Sequence, residues 1–250
     1  MKSVEELQLS HEALQIGVPD GMMRFTEDIT IPYTTESKFG FEFFRWRSPE
    51  MVAEMDCFIE HARGKKCFMD VGALHGVFSL VFTALNPDGV AYAIEPHAES
   101  FISLCKQING DEQVIAFCDA LSDHDGVLSM GMEWGMHLVA GLPNGASDVP
   151  CTTADLFCAG YLIKPDLIKI DVEGHEAHVL RGLKATIADH HPTIFLEIHP
   201  KRLAACGEDV QEMLEALMTQ GYSATDTLTN EPIGWMEILA KTEDSRIIFT

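Results

Sequence analysis

Leu167-Ile168-Lys169-Ile170-Asp171-Val172-Glu173-Gly174-His175-Glu176 begins as an apolar run and ends as a cluster of carboxylates. Leu167 to Ile170 is broken only by Lys169, the pattern of a parallel strand covered on both faces. Asp171 and Glu173 then fall just past the strand's carboxyl end, the edge along which open α/β sheets bind ligands.

Working outward from this strand, βα alternation predicts an α/β fold with a mostly parallel sheet. Upstream, Cys67 to Val71 reads as strand, Val77 to Leu85 as helix and Val90 to Ile94 as strand. A helix follows with the stripe Phe101, Leu104, Cys105 and Ile108, stopping at Asn109-Gly110, and Val114 to Phe117 is a third strand. From Gly126 to about Phe157 the alternation is interrupted by Gly131, Gly135, Gly141, Pro143 and Gly145, which predict a hairpin with a loop. Downstream, Glu176, Val179, Leu180, Leu183 and Ile187 mark a helix and Thr193 to Ile198 a strand. Val210, Met213, Leu214 and Leu217 mark a helix closed by Gly221. Tyr222 to Leu228, Trp235 to Ala240 and Arg246 to Phe249 read as strands, two of them forming an antiparallel edge.

The first 47 residues read as an irregular section packing on the core, a possible substrate cap, with Ile29, Ile31 and Tyr33 alternating as in a half-buried strand. Ser48 and Pro49 cap the first helix of the main domain, residues 48–250, whose apolar face is Met51, Val52, Met55, Phe58 and Ile59. The aromatic run Phe39-Gly40-Phe41-Glu42-Phe43-Phe44-Arg45-Trp46 reads as a satellite core, with a sugar-stacking lid as the alternative. Met130, Met132, Trp134 and Met136 read as packing, with a substrate wall as the alternative.

Composition narrows the function classes. The chain has 250 residues, 46% of them hydrophobic, enough for one large domain. Its net charge of −22 disfavours nucleic-acid phosphate or an anionic membrane as partner. Seven scattered cysteines without a Cys-x-x-Cys pair, and an N-terminus without an apolar signal core, predict reduced thiols and a cytoplasmic location. No apolar run is long enough for a membrane span.

Two motifs carry chemistry beside the strand at 167–170. Asp70-Val71-Gly72-Ala73-Leu74-His75-Gly76 puts an acidic residue at one strand end and two glycines in the following turn, where the backbone can pass close to a ligand. Its Gly-x-x-x-Gly spacing lacks the first pair of the dinucleotide fingerprint Gly-x-Gly-x-x-Gly. Ile94-Glu95-Pro96 then places a carboxylate 19 positions after Gly76, where it can accept hydrogen bonds from ribose hydroxyls.

These residues, with Leu167 to Leu183 and Pro192 to Glu197, resemble the FkbM family of S-adenosylmethionine-dependent methyltransferases. The strongest match is at 167–182, where the family's Lys-Ile-Asp-x-Glu-Gly-x-Glu pattern with a later Leu-x-Gly is nearly complete. The likeness is good over about residues 54 to 200. It implies a three-layer Rossmann-like fold, a seven-stranded sheet with the last strand antiparallel, and usually O-methylation of a sugar or secondary metabolite. It places Asp70, Gly72, Ala73 and Gly76 at the methionine part of the cofactor, Glu95 with Pro96 at its ribose, Asp119 with Ala120 beside its adenine, and Asp171 near the transferred methyl. This chain has Leu74 where the family commonly has asparagine.

Methyl transfer to a neutral hydroxyl needs alignment and a group that takes the proton. Asp171, Glu173, His75, Glu197 and His199 are the candidates, with Asp171 or His199 first as base and Glu173 as a positioning residue. Lys169 is expected to contact a neighbouring carboxylate. The acidic strand ends could hold Mg²⁺, but no spacing calls for it, and no metal is assigned. His175 and His178 read as helix-surface histidines without a zinc-binding context. The predicted acceptor is a small molecule or glycan. Two other readings share parts of the pattern: an NAD-dependent oxidoreductase and a non-catalytic methyltransferase-like binding protein.

Overall fold

A computed structural model describes residues 2–133, 137–140 and 147–250. Trp134, Met136, Gly135, Gly141, Pro143 and Gly145, singled out above, lie outside the described residues.

The main sheet contains β1 (Cys67–Val71), β2 (Val90–Ile94), β3 (Val114–Phe117), β4 (Leu167–Ile170), β5 (Thr193–Ile198), β6 (Ala224–Asp226), β7 (Glu231–Pro232) and β8 (Ser245–Phe249). Their spatial order is β7-β6-β8-β5-β4-β1-β2-β3. Strands β1 to β5 are mutually parallel, and β8 runs antiparallel between β5 and β6. The chain builds outward from β1 to β3 and then returns to place β4 on the other side of β1. That reversal of order opens a crevice at the carboxyl ends of β1 and β4.

Every residue of β4 is buried, as its apolar run predicts for a central parallel strand. Phe58, on the helix Pro49–Ala62, packs its ring against Phe68, Phe78 and Phe195, so this helix seals one face of the sheet. Ser48 caps it by accepting the Met51 N–H at 3.3 Å, with Pro49 in the first turn.

Several local expectations are corrected. The first section is built of regular elements: helix Val4–Leu14, antiparallel strands Met22–Arg24 and Thr30–Pro32, helix Thr35–Glu42 and a π-helical turn Phe43–Arg47. Reciprocal caps start both helices, Ser3 with Glu6 and Thr34 with Ser37. The aromatic run is no satellite. Phe41 is fully buried in the same cluster as Phe58 and Phe68, and Phe44 meets Phe78 edge-on at 5.1 Å.

The interruption after β3 is a second sheet, and the expected hairpin is part of it as the antiparallel pair 126–133 with 137–140. Its four strands are Ala120–Ser122, Gly126–Glu133, His137–Ala140 and Ser147–Thr153, and Met130 is buried in it. The helix expected from Glu176 to Ile187 is two helices, Glu176–Arg181 and Lys184–His190. The break lies at Gly182, where a Cβ would sit 2.0 Å from the Ser122 carbonyl oxygen, so the chain presses directly on the second sheet. Trp235–Leu239 is a helix, not a strand, and the Glu237 carboxylate caps it by accepting the Gly234 N–H at 2.8 Å. The expected antiparallel edge forms between β6 and β8, and the two-residue β7 adds a hairpin on β6 that brings the sheet to eight strands. Among the described residues, no helix is long and apolar enough to cross a membrane.

Candidate active site

The crevice is walled by the ends of β1, β2 and β4 and by the second sheet. Gly72, Leu74, Glu95, Pro96, Asp119, Ala120, Met130, Asp171, Glu173 and His175 line it. Of the residues assigned above to the cofactor, it therefore gathers Gly72, Glu95, Pro96, Asp119, Ala120 and Asp171. Asp70, Ala73 and Gly76 stand behind its wall.

The turn after β1 explains this division. Gly72 has φ +85°, and a Cβ there would lie 1.9 Å from the Asp171 carbonyl oxygen, so only glycine lets β1 and β4 end side by side. At Gly76 the missing side chain leaves room for Leu104, whose Cδ1 would be 2.5 Å from a Cβ. Leu74, between them, adopts a left-handed φ of +49°. Asparagine tolerates that conformation better than leucine, which gives the family's usual residue a backbone reason. Leu74 is held there by its N–H, which donates to Glu95 Oε2 at 2.8 Å. The other oxygen of Glu95 accepts the His97 N–H at 2.8 Å. Burial pushes the Glu95 carboxyl up to about 7 against these two donors. Each oxygen keeps a lone pair directed away from its backbone donor.

Asp70 is 1% exposed and accepts the Ser79 hydroxyl at 2.7 Å. Burial pushes its carboxyl up to about 6, with Lys169 opposing. Lys169 meets the expectation of a carboxylate partner: its buried ammonium lies 2.9 Å from Asp171 Oδ2 and 4.6 Å from the Phe78 ring centroid. Burial pushes the Asp171 carboxyl up, but Lys169 and then His199 outweigh it and hold Asp171 well below the usual carboxylate range. Asp171 is thus a fixed negative charge and a poor proton acceptor.

His199, at the end of β5 and 3% exposed, is not a surface residue. Its Nδ1 lies 2.8 Å from Glu176 Oε1, while Nε2 faces Glu173 Oε2 at 3.5 Å and Glu197 Oε1 at 3.8 Å. Burial pushes the imidazole down, but the hydrogen bond and charge of Glu176 outweigh it, and the ring titrates at about 9. Glu173 has a left-handed φ of +55°, and its Oε2 is 3.2 Å from Arg202 Nη2. Glu197 is tied to Arg246, which also lies 3.0 Å from Glu54 Oε2. His75 sits beside Gly40, away from the crevice lining.

The carboxylates Asp171 and Glu197, at the ends of β4 and β5, are therefore each already matched to a cation. Asp171, Glu173 and His199 bring ligand atoms within 4.8 Å of one another, a spacing a divalent ion could bridge. Lys169 and Arg202 hold the two carboxylates of that trio. His175 is not the surface residue expected, being 4% exposed with Nε2 3.0 Å from Ser122 Oγ, whereas His178, stacked on it at 4.2 Å, is partly exposed. Burial, then His178, pushes His175 down to about 3, so this crevice-lining ring is neutral.

Glu176, Arg246 and Glu54 are partners that no motif in the sequence announced. A signal existed for Glu176, which shares an apolar stripe with Val179 and Leu180; a carboxylate in such a stripe demands a buried partner.

Residues 70–224 match the family model described as the methyltransferase FkbM domain. Hexuronic acid methyltransferase AglP of Haloferax volcanii is 27% identical over 196 residues, covering 74% of this chain and 76% of that protein. Among solved structures, methyltransferase FkbM from Methylobacillus flagellatus aligns with a TM-score of 0.47 at 14% identity, over 74% of this chain and 43% of that one. Aeropyrum pernix fibrillarin, solved with natively bound S-adenosyl-L-methionine, aligns with a TM-score of 0.43 at 11% identity, over 76% of this chain and 67% of that one.

Proposed function

Because the chain belongs to the FkbM methyltransferase family, and so is an S-adenosylmethionine-dependent methyltransferase, we propose that its acceptor is a sugar hydroxyl, on a small molecule or glycan of the hexuronic-acid class. The sugar class comes from the name of the Haloferax volcanii relative, and the observation that carries the hydroxyl is the charge of the crevice. Glu95, Asp119, Asp171 and Glu173 line it, and among the described lining residues there is no lysine or arginine.

Such a lining fits S-adenosylmethionine, whose sulfonium and ammonium outnumber its one carboxylate. When bound, that cofactor supplies an electrophilic methyl. Glu95 would take the ribose hydroxyls on its two free lone pairs, Asp119 and Ala120 would border the adenine, and Gly72 would leave the backbone open to the methionine part. Asp171, ionised by Lys169, would face the sulfonium.

The same charges favour a hydroxyl over a carboxylate as the acceptor atom. A uronate carboxylate 4 Å from Asp171 would be repelled by about 4 kcal/mol at an effective dielectric near 20. A neutral hydroxyl escapes that cost but must lose its proton, and His199 is the group suited to take it. Its Nδ1 is engaged by Glu176, so in the neutral ring the lone pair lies on Nε2, beside Glu173. Glu173 would orient the acceptor. The seven free cysteines support a reducing, cytoplasmic setting, and the net charge of −22 argues against nucleic acid as acceptor.

The test is incubation with methyl-labelled S-adenosylmethionine and simple hexuronides. The expected product is an alkali-stable methyl ether; an alkali-labile methyl ester would overturn the hydroxyl assignment.

A further inference from the structure

We propose that Glu176 is the positioning residue of a buried carboxylate–imidazole dyad, holding His199 in the one tautomer and orientation that lets Nε2 accept the acceptor's proton. The inference rests on the reading of His199 as base and extends it to a residue that touches neither cofactor nor acceptor.

Four observations converge. Glu176 is 0% exposed, and the His199 ring lies within ion-pair distance of it. Its Oε1 accepts twice, from His199 Nδ1 and from the Gly174 N–H, each at 2.8 Å. The backbone of the strand-end turn therefore sets the carboxylate, and the carboxylate sets the ring. Its Oε2 is buried with no hydrogen-bond partner, so the group is not placed there to satisfy a polar network of its own. Finally, the bond to Nδ1 leaves Nε2 directed at Glu173, a residue of the crevice wall. An ionised carboxylate removed from water is costly unless paired, and pairing with an imidazolium offsets that cost as the proton arrives.

In the transfer step the hydroxyl oxygen bonds to the methyl carbon as the carbon–sulfur bond breaks, the electron pair leaving on sulfur to give a neutral thioether. The hydroxyl proton moves to Nε2. The Nδ1 proton stays between His199 and Glu176, and the imidazolium later releases the Nε2 proton to solvent. The carboxylates that face the ring are Glu176, Glu173, Glu197 and Asp171, and the cations beside them are Lys169, Arg202 and Arg246.

Long-range proton–nitrogen spectra of the labelled full chain with S-adenosylhomocysteine test the dyad without any acceptor. The wild type should titrate with a midpoint of about 9, its neutral ring protonated on Nδ1. In Glu176→Gln the midpoint should fall by at least about one unit, the ordinary histidine value being about 6.5. With methyl glucuronide as acceptor, the wild-type rate should climb with pH to the same midpoint. The variant should level off at the lower pH, with kcat reduced on the order of 10- to 100-fold and KM for S-adenosylmethionine unchanged. A neutral wild-type ring protonated on Nε2 overturns the proposal, and needs no variant to be seen. So does a Glu176→Gln midpoint equal to the wild type's, or a shifted midpoint with an unshifted rate profile, which would make Glu176 merely structural. Correct spectra without turnover on any hexuronide would leave the dyad standing and defeat the acceptor assignment instead.

Discussion

Replacing Glu95 with alanine should damage the fold and the cofactor site together, and the two losses can be measured apart. In the protein each carboxylate oxygen accepts one backbone N–H, from Leu74 and from His97, both at 2.8 Å. Removing the carboxylate strands both donors, but the crevice admits water to them, so the loss of stability should be about 1 to 3 kcal/mol rather than the sum of two dry vacancies. The ribose loses the same acceptors. A further 1 to 3 kcal/mol of binding corresponds to a roughly 5- to 150-fold weaker affinity for S-adenosylhomocysteine. Calorimetric titration reads this directly, and urea denaturation without ligand reads the first term. The pH dependence adds a sign. Burial raises the free protein's Glu95 to about 7, and with one backbone N–H on each oxygen only the ionised form leaves a further acceptor position on both. Wild-type affinity should therefore be flat above pH 7 and fall by up to about tenfold per unit below it. Glu95→Ala should lose that dependence. Unchanged affinity in Glu95→Ala, or an unchanged pH dependence, would refute the placement of the ribose.

Three further outcomes are expected. Lys169→Met keeps the packing over Phe78 but leaves Asp171 and the buried Glu54 and Asp70 short of a cation. It should cost on the order of 3 to 5 kcal/mol in chemical denaturation, and a change below about 1 kcal/mol would show that the charge is not needed. His199 is raised from 6.5 to about 9, so its contribution is complete below pH 6.5 and is lost as pH rises through 9. At about 1.4 kcal/mol per unit this is about 3 kcal/mol, to be seen as the wild-type stability falling toward that of His199→Gln between the two pH values; parallel curves would contradict the shift. Leu74→Asn should relieve the left-handed strain and raise stability by up to about 1 kcal/mol, whereas a fall in melting temperature would show that leucine's packing outweighs its backbone cost.

The positions of the central strands and the crevice were legible because they depend on local signals that repeat. An apolar run closing in carboxylates at 167–173, an acidic residue before the glycine turn at 70–76, and Glu95 after β2 each mark a strand end, and the parallel topology brings those ends together. The buried ion network was not legible, because its pairs come from register. Arg246 stands directly opposite Glu197 across the antiparallel β5–β8 pair, and nothing near either residue announces the other. The same holds for Glu176 and His199, which follow different strands and meet behind Glu173 of the crevice wall. Trp235–Leu239 misled because Trp235 and Ile238 favour strands and five residues are too few to show a helical period, while a single cap at Gly234 and Glu237 decided for helix. In the first section the reciprocal caps at Ser3 and Thr34 were present in the sequence, but weak amphipathicity hid the helices behind them.

The central claim is that an acidic crevice at the β1–β4 reversal aligns a sugar hydroxyl for methylation with His199 as base. Carbon-13 spectra of the products from methyl-labelled S-adenosylmethionine and methyl glucuronide, taken before and after mild alkali, test it most directly. The account predicts a methyl ether signal that survives alkali with the wild type and is suppressed on the order of 100-fold with His199→Gln. A signal that alkali removes, or one undiminished in His199→Gln, would contradict it.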